Sequence, residues 1–138
     1  MVKPGFAIHE GCPTAEDYCQ FRKSVGWRDV SLEEARAGLE NSLYSLYATL
    51  DDKVVGCARV IGDGHVYFYL QDVLVDPACQ KQGLGHQLVQ KALDYIFSVA
   101  APGTYVGLMA AQNKAAFYEK FGFTKRPDDK PGMEFYVK

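Results

Sequence analysis

Asp72-Val73-Leu74-Val75-Asp76-Pro77-Ala78-Cys79-Gln80-Lys81-Gln82-Gly83-Leu84-Gly85-His86 is the stretch that decides the fold. It opens inside an apolar run, Val66 to Val75, which reads as a strand buried on both faces and broken only by Gln71 and Asp72. Pro77 closes that strand. Gly83-Leu84-Gly85 then opens a helix whose apolar positions fall at Leu84, Leu88, Ala92, Tyr95 or Ile96, and Val99. Glycine at such a start lets the backbone come close to a ligand. The first-turn N–H groups, unpaired within the helix, point outward with the positive end of the dipole. That arrangement suits a diphosphate, with the Gln80 amide and the Lys81 charge close by. A plainer reading, that Gly83 and Gly85 only permit a tight turn, stays open on two glycines alone. The spacing fits neither a P-loop, which needs Gly-Lys-Ser/Thr, nor the Gly-x-Gly-x-x-Gly of a dinucleotide fold.

Upstream of this stretch, Gly5 to Glu10 reads as a short strand. Thr14 caps a helix running to about Val25 and Gly26. Ser31 caps a second, with Glu34 at the capping-box position and Leu32, Ala35 and Leu39 at helical spacing. Leu43 to Leu50, Val54 to Ile61 and Val66 to Val75 then form an antiparallel meander, joined by Asp51-Asp52-Lys53 and by Gly62-Asp63-Gly64-His65. The third of these runs is expected at the centre. Downstream, Thr104 to Met109 reads as a strand, Asn113 to Lys120 as a short helix ending at Gly122, and Gly132 to Val137 as a last strand. The sum is an α/β chain in the broad sense, a mixed α+β sheet flanked by about four helices.

At 138 residues, with 48% hydrophobic and 23% charged residues, the chain is expected to form one domain, residues 1–138, around one core. Net charge is −2 and no basic run occurs, so neither nucleic acid nor an anionic membrane is an expected partner. Cys12, Cys19, Cys57 and Cys79 form no Cys-x-x-Cys pair and have no His at ligand spacing, so no metal site is expected. The segment Met1 to Glu10 lacks an apolar core of signal-peptide length, and no stretch approaches a membrane span. These features predict a reduced, cytoplasmic protein.

Gln80-Lys81-Gln82-Gly83-Leu84-Gly85 resembles the Gln/Arg-x-x-Gly-x-Gly/Ala signature of the GCN5-related N-acetyltransferases (GNAT). Asn113-Lys114-Ala115-Ala116-Phe117-Tyr118-Glu119-Lys120-Phe121-Gly122-Phe123 is similar to that family's second motif, in the family's order and at a fitting separation. The resemblance is close over residues 40 to 138 and looser before them. It implies a single-domain GNAT-like fold, a central, mostly antiparallel twisted sheet whose fourth and fifth strands splay apart, and acetyl-CoA as co-substrate in the splay. The backbone of Val73, Leu74 and Val75 would pair with pantetheine like an added strand. The N–H groups of Gln82, Gly83, Leu84, Gly85 and His86 would hold the diphosphate, and Asn113 would approach the pantetheine arm.

The resemblance also implies direct attack of a neutral primary amine on the thioester, with the Val73 N–H stabilising the oxyanion and Tyr118 near the departing sulfur. A phenol is protonated at neutral pH and can supply that proton. Packing of the Tyr118 ring between Phe117 and Phe121 is the competing reading, and the Asn-x-x-x-x-Tyr placement favours the catalytic one. Asp72, a carboxylate inside an apolar strand, either helps deprotonate the amine through water or pins a neighbouring loop. Arg59 is expected to pair with Asp63 or Asp72. Trp27, Tyr67 and Tyr69 could wall a pocket for an aromatic or alkyl amine, or serve the core. His65 reads as a solvated turn residue, and His9 and Glu10 as the end of the first strand. The acceptor is a small-molecule or peptide amine of unidentified structure. Dimerisation, common in the family, would use the aromatic C-terminal strand. The competing class is a non-catalytic acyl-CoA-binding module.

Overall fold

A computed structural model describes residues 5–138 of the chain. Five strands and four helices follow in the order β1 (Phe6–Glu10), α1 (Ala15–Ser24), α2 (Leu32–Glu40), β2 (Tyr44–Leu50), β3 (Lys53–Gly62), β4 (Tyr67–Val75), α3 (Leu84–Val99), β5 (Tyr105–Gly107) and α4 (Ala115–Glu119). A 3₁₀ turn, Pro77–Cys79, leads into the α3 loop. Both early helices start where their caps predict. The Thr14 hydroxyl accepts from the Asp17 N–H at 3.0 Å, and the Ser31 hydroxyl from the Glu34 N–H at 3.1 Å.

The strands line up in chain order, β1-β2-β3-β4-β5, antiparallel throughout except for the parallel β4–β5 pair. Asp51 and Asp52, at φ 52° and 64°, make the tight turn between β2 and β3. At the β3–β4 turn one Asp63 carboxylate oxygen accepts from the N–H groups of His65, Val66 and Tyr67, which accounts for His65 as a turn residue. The middle strand is therefore β3, and β4 lies between it and β5.

One face of the sheet is closed by α3. Leu84, Leu88, Val89, Ala92, Leu93 and Ile96 pack on Leu46, Ala48, Ala58, Val60, Phe68 and Leu70 in one cluster. Each such buried aliphatic side chain contributes roughly 1.5–3 kcal/mol, so this layer supplies most of the driving force. The helix comes close enough that a Cβ at Gly56 on β3 would stand 3.1 Å from Leu88 and 3.2 Å from Leu84. The other face carries α1, whose Phe21 packs with Val54 and Cys57 of β3. An α1–α2 cluster of Ala15, Tyr18, Ala35 and Leu39 adjoins it.

Four expectations need correction, the first being the central place of Val66 to Val75, since β3 and not β4 holds it. The strand expected over Thr104 to Met109 is only three residues long, and the helix expected over Asn113 to Lys120 only five. More consequentially, Gly132 to Val137 forms no strand. Met133, Phe135 and Val137 are about nine-tenths exposed, at 87%, 87% and 91%. The β-prone composition of this segment is real, but no neighbouring strand supplies a ladder, and a strand is defined by its partner.

Candidate active site

The β4–β5 ladder contains only Tyr67↔Tyr105, Phe68↔Val106 and Tyr69↔Gly107. Beyond it β5 ends at Gly107, while β4 continues to Val75, paired with β3 on one edge and with no strand on the other; this is where the resemblance implied a splay. Val73, Leu74 and Val75 lie past the last pair. Val73 and Val75 turn toward the α3 core, and Leu74 toward Phe21, Val54 and Cys57.

At the far end of β4 the loop to α3 is held from within. The Gln80 side chain, expected to face a ligand, instead donates from Nε2 to the Val75 carbonyl at 3.0 Å, tying loop to strand. Gln82 donates to the Ala78 carbonyl at 3.4 Å, and its Oε1 is buried without a partner. Lys81, exposed, and Gly83 take left-handed conformations, φ 63° and 85°. Gly83 is the N-cap of α3, and no side chain caps that helix. Only glycine adopts φ 85° without strain, so here the glycine is required by the backbone. The free N–H groups of a sixteen-residue helix thus open beside the end of β4. Gly85 lies 3.6 Å, at its Cβ position, from Val75 and 3.7 Å from Phe117, and His86 stacks on Phe121 at 4.8 Å. The first turn of α3 therefore touches both β4 and α4.

Asn113 occupies φ 63° in the turn that opens α4, with its side chain exposed. Tyr118 is buried, its ring edge-on to Phe117 at 5.0 Å and to Phe123 at 6.1 Å. Burial pushes its hydroxyl pKa above the ordinary phenol range, so the proton is firmly held at neutral pH. The ring therefore packs as the competing reading expected, and the hydroxyl keeps its proton at neutral pH. The residue also lines a cavity of about 810 Å³ between β5, the end of α3 and residues 121–132.

The β3–β4 ladder breaks at Asp72. Cys57 pairs with Leu74 and Arg59 with Gln71, so Asp72 and Val73 together oppose Ala58. This is a β-bulge, and Asp72 takes φ 57°. The bulge turns the Asp72 carboxylate to the α1 face, where its side chain is only 3% exposed. There it accepts from Tyr18 Oη at 2.5 Å, Arg59 Nε at 3.0 Å and Gln71 Nε2 at 3.1 Å, with Arg22 Nη1 at 3.9 Å. The Cys57 thiol donates to the Asp72 carbonyl at 3.1 Å, and burial pushes that thiol's pKa far up, so it is an unreactive group. Of the two roles open to Asp72, pinning is the one these partners favour, and the pairing expected of Arg59 is found.

Arg22 is shared. Its guanidinium also donates to the Arg28 carbonyl at 3.0 Å and covers the Trp27 ring at 5.1 Å. Sequence reasoning missed Tyr18 and Arg22, although their i, i+4 spacing on the buried side of α1 was the available signal. Beside this cluster a cavity of about 600 Å³ opens between α2, β3 and β4, lined among others by Arg28, Glu34, Arg59, Ile61 and Asp72. Tyr69 pairs with Ile61 at its edge. Tyr67 instead packs against Tyr105, so the structure does not gather Trp27, Tyr67 and Tyr69 into one aromatic wall. No helix among the described residues is long and apolar enough to cross a membrane.

Comparison with known proteins adds an independent line. The profile of the acetyltransferase (GNAT) domain matches residues 42–125, which spans both sequence motifs. The chain is 34% identical over 125 residues to an uncharacterized N-acetyltransferase, ycf52, of Pyropia yezoensis, covering 85% of this chain and 68% of that one. It is 30% identical over 116 residues to serotonin N-acetyltransferase 2 of Oryza sativa, a chloroplastic protein, covering 81% of this chain and 57% of the other. The crystal structure of SA2161 from Staphylococcus aureus, described as a probable acetyltransferase, superposes with a TM-score of 0.89 at 32% identity over 96% of this chain and 99% of that one. With a splayed β4–β5 pair, an uncapped α3 and these relatives, the chain belongs to the GNAT family of N-acetyltransferases.

Proposed function

We propose that this N-acetyltransferase takes its acetyl group from acetyl-CoA and delivers it to a primary amine. The observation that carries the reading is the junction of the β4 end with the start of α3. Uncapped N–H groups, a left-handed Gly83 and the exposed Lys81 lie at the end of a strand whose edge away from β3 has no partner strand past Tyr69. Such a junction offers donors to a diphosphate and a free strand edge to the amides of pantetheine. Residues 1–138 act as one catalytic domain in this reading.

Acetyl-CoA supplies an acyl group activated as a thioester. Within the chain, the N–H groups from Gln82 to His86 hold the diphosphate, the backbone of Val73 to Val75 aligns the arm, and Asn113 approaches it from the α4 turn. The Val73 N–H faces the carbonyl oxygen as charge develops on it. The amine forms the new C–N bond, the C–S bond breaks, and the departing sulfur takes a proton from the Tyr118 hydroxyl, while the amine loses one to water, from which the Tyr118 phenolate is reprotonated. The acceptor enters from the α1–α2 side, where the 600 Å³ cavity is of the size of small-molecule sites. The rice relative's name, a serotonin N-acetyltransferase, makes an arylalkylamine the first class to try.

The test is release of CoA thiol from acetyl-CoA against serotonin, tyramine, spermidine and a lysine-containing peptide. Amine-dependent release by at least one supports the reading. Binding of acetyl-CoA with no release from any of them would favour a binding module instead. Association of two copies through residues 133–137 belongs to the same reading, because those residues leave their apolar side chains in solvent. Light scattering before and after their removal checks it.

A further inference from the structure

The buried polar cluster under the β4 bulge is larger than a structural pin requires. Five side chains from three segments meet the Asp72 carboxylate or its peptide: Tyr18 and Arg22 from α1, Cys57 and Arg59 from β3, and Gln71 beside it on β4. A non-glycine residue at φ 57° in mid-strand is a strained conformation that persists only where its surroundings over-determine it. Here they do, because the carboxylate is held from α1 and β3 and the carbonyl from Cys57. The next peptide group carries the Val73 N–H. It lies opposite Ala58, where the ladder is broken, rather than within a regular pair.

We propose that Asp72, Tyr18 and Arg59 are positioning residues for acyl transfer: they lock the bulge and thereby fix the direction of the Val73 N–H. The inference rests on the reading above, in which that N–H meets the thioester oxygen. None of the three touches the reacting atoms. Their effect falls on kcat, because a donor aimed at charge that develops only in the transition state contributes nothing to binding the ground state. Arg59 also fastens α2, donating to the Gly38 carbonyl at 3.1 Å and the Ser42 hydroxyl at 3.3 Å, so the lock spans the acceptor side of the sheet. Arg22 is the least fully used member, its Nε buried without an acceptor, and it is the weakest contributor to the lock.

The experiment compares wild type, Asp72→Asn, Asp72→Gly and Tyr18→Phe for kcat, KM for acetyl-CoA and the pH profile of kcat/KM, each assayed well below its own melting temperature. Asparagine and glycine both accept positive φ, but only asparagine keeps an oxygen for Tyr18 and Arg59. Asp72→Gly is expected to lose about 100-fold in kcat, the order seen when an oxyanion donor is misplaced, with KM for acetyl-CoA within about twofold. Tyr18→Phe should lose less, and Asp72→Asn least, with the pH profile unchanged in shape. An Asp72→Asn profile that loses its acidic limb makes Asp72 the general base and overturns the proposal. So does an Asp72→Gly variant that folds and keeps wild-type kcat. Wild type that binds no acetyl-CoA, by thermal shift, removes the functional reading and this inference with it. Wild type that turns over while the variants match it removes this inference alone.

Discussion

The two sides of the splay are built differently. β4 is nine residues long, paired along β3, sandwiched between α1 and α3, and fastened at its bulge by a buried ion cluster. β5 pairs over three residues, α4 is five residues long, and the chain beyond Gly132 touches little. The groups that would grip the donor's backbone and phosphates come from the first side. Tyr118, the proposed proton donor, comes from the second. The geometry proposed for binding depends on long-range ladders and charge pairing, whereas the proposed proton donor is placed by aromatic packing against Phe117 and Phe123.

If that difference is real, perturbing the first side should cost much more than perturbing the second. Asp72→Ala leaves Arg59 and Arg22 without their buried carboxylate and should cost about 3–5 kcal/mol of stability in urea denaturation. Tyr118→Phe keeps the ring and should leave stability nearly unchanged, while kcat falls by about 100-fold or more if the hydroxyl is the general acid. Undiminished turnover at every pH would remove that role without touching the fold. Gly83→Ala forces alanine into the left-handed region at a cost of about 1–2 kcal/mol. The loss should appear as roughly tenfold weaker acetyl-CoA binding by calorimetry.

Tyr18 gives a smaller effect with a defined sign. Burial, and then its bond to Asp72, push its pKa up to about 12 from an ordinary value near 10. The folded chain therefore keeps that proton where the unfolded chain loses it. The resulting stability is fully present below pH 10 and is lost as pH rises toward 12. Tyr18→Phe should show a shallower alkaline decline in melting temperature than wild type. Smallest of all, ending the chain after Gly132 should change monomer stability by less than about 0.5 kcal/mol, since the removed side chains are exposed. A large loss there would mean that the tail packs on the rest of the chain, for example through the Arg28 guanidinium over the Tyr136 ring, more tightly than its exposure implies.

The sequence made most of this first side legible. Caps at Thr14 and Ser31, turn residues at Asp51 and Asp52, and the α3 stripe are local signals, and each element stands where its signal placed it. The donors around Asp72 were half legible. A carboxylate in an apolar run demands a partner, and Arg59 was nameable, but Tyr18 is 54 residues away and its approach depends on how α1 crosses the sheet. The Gln80 amide was misdirected for a similar reason, because its partner is a carbonyl exposed only where β4 ends. Gly132 to Val137 has the composition of a strand, yet composition cannot provide a partner.

The most direct test is a crystal structure of the chain with acetyl-CoA. The account predicts the diphosphate on the N–H groups of Gln82 to His86, the arm between β4 and β5, and the thioester oxygen facing the Val73 N–H with its sulfur near Tyr118. Acetyl-CoA bound elsewhere, or bound at the loop with its thioester turned away from Val73, would contradict it.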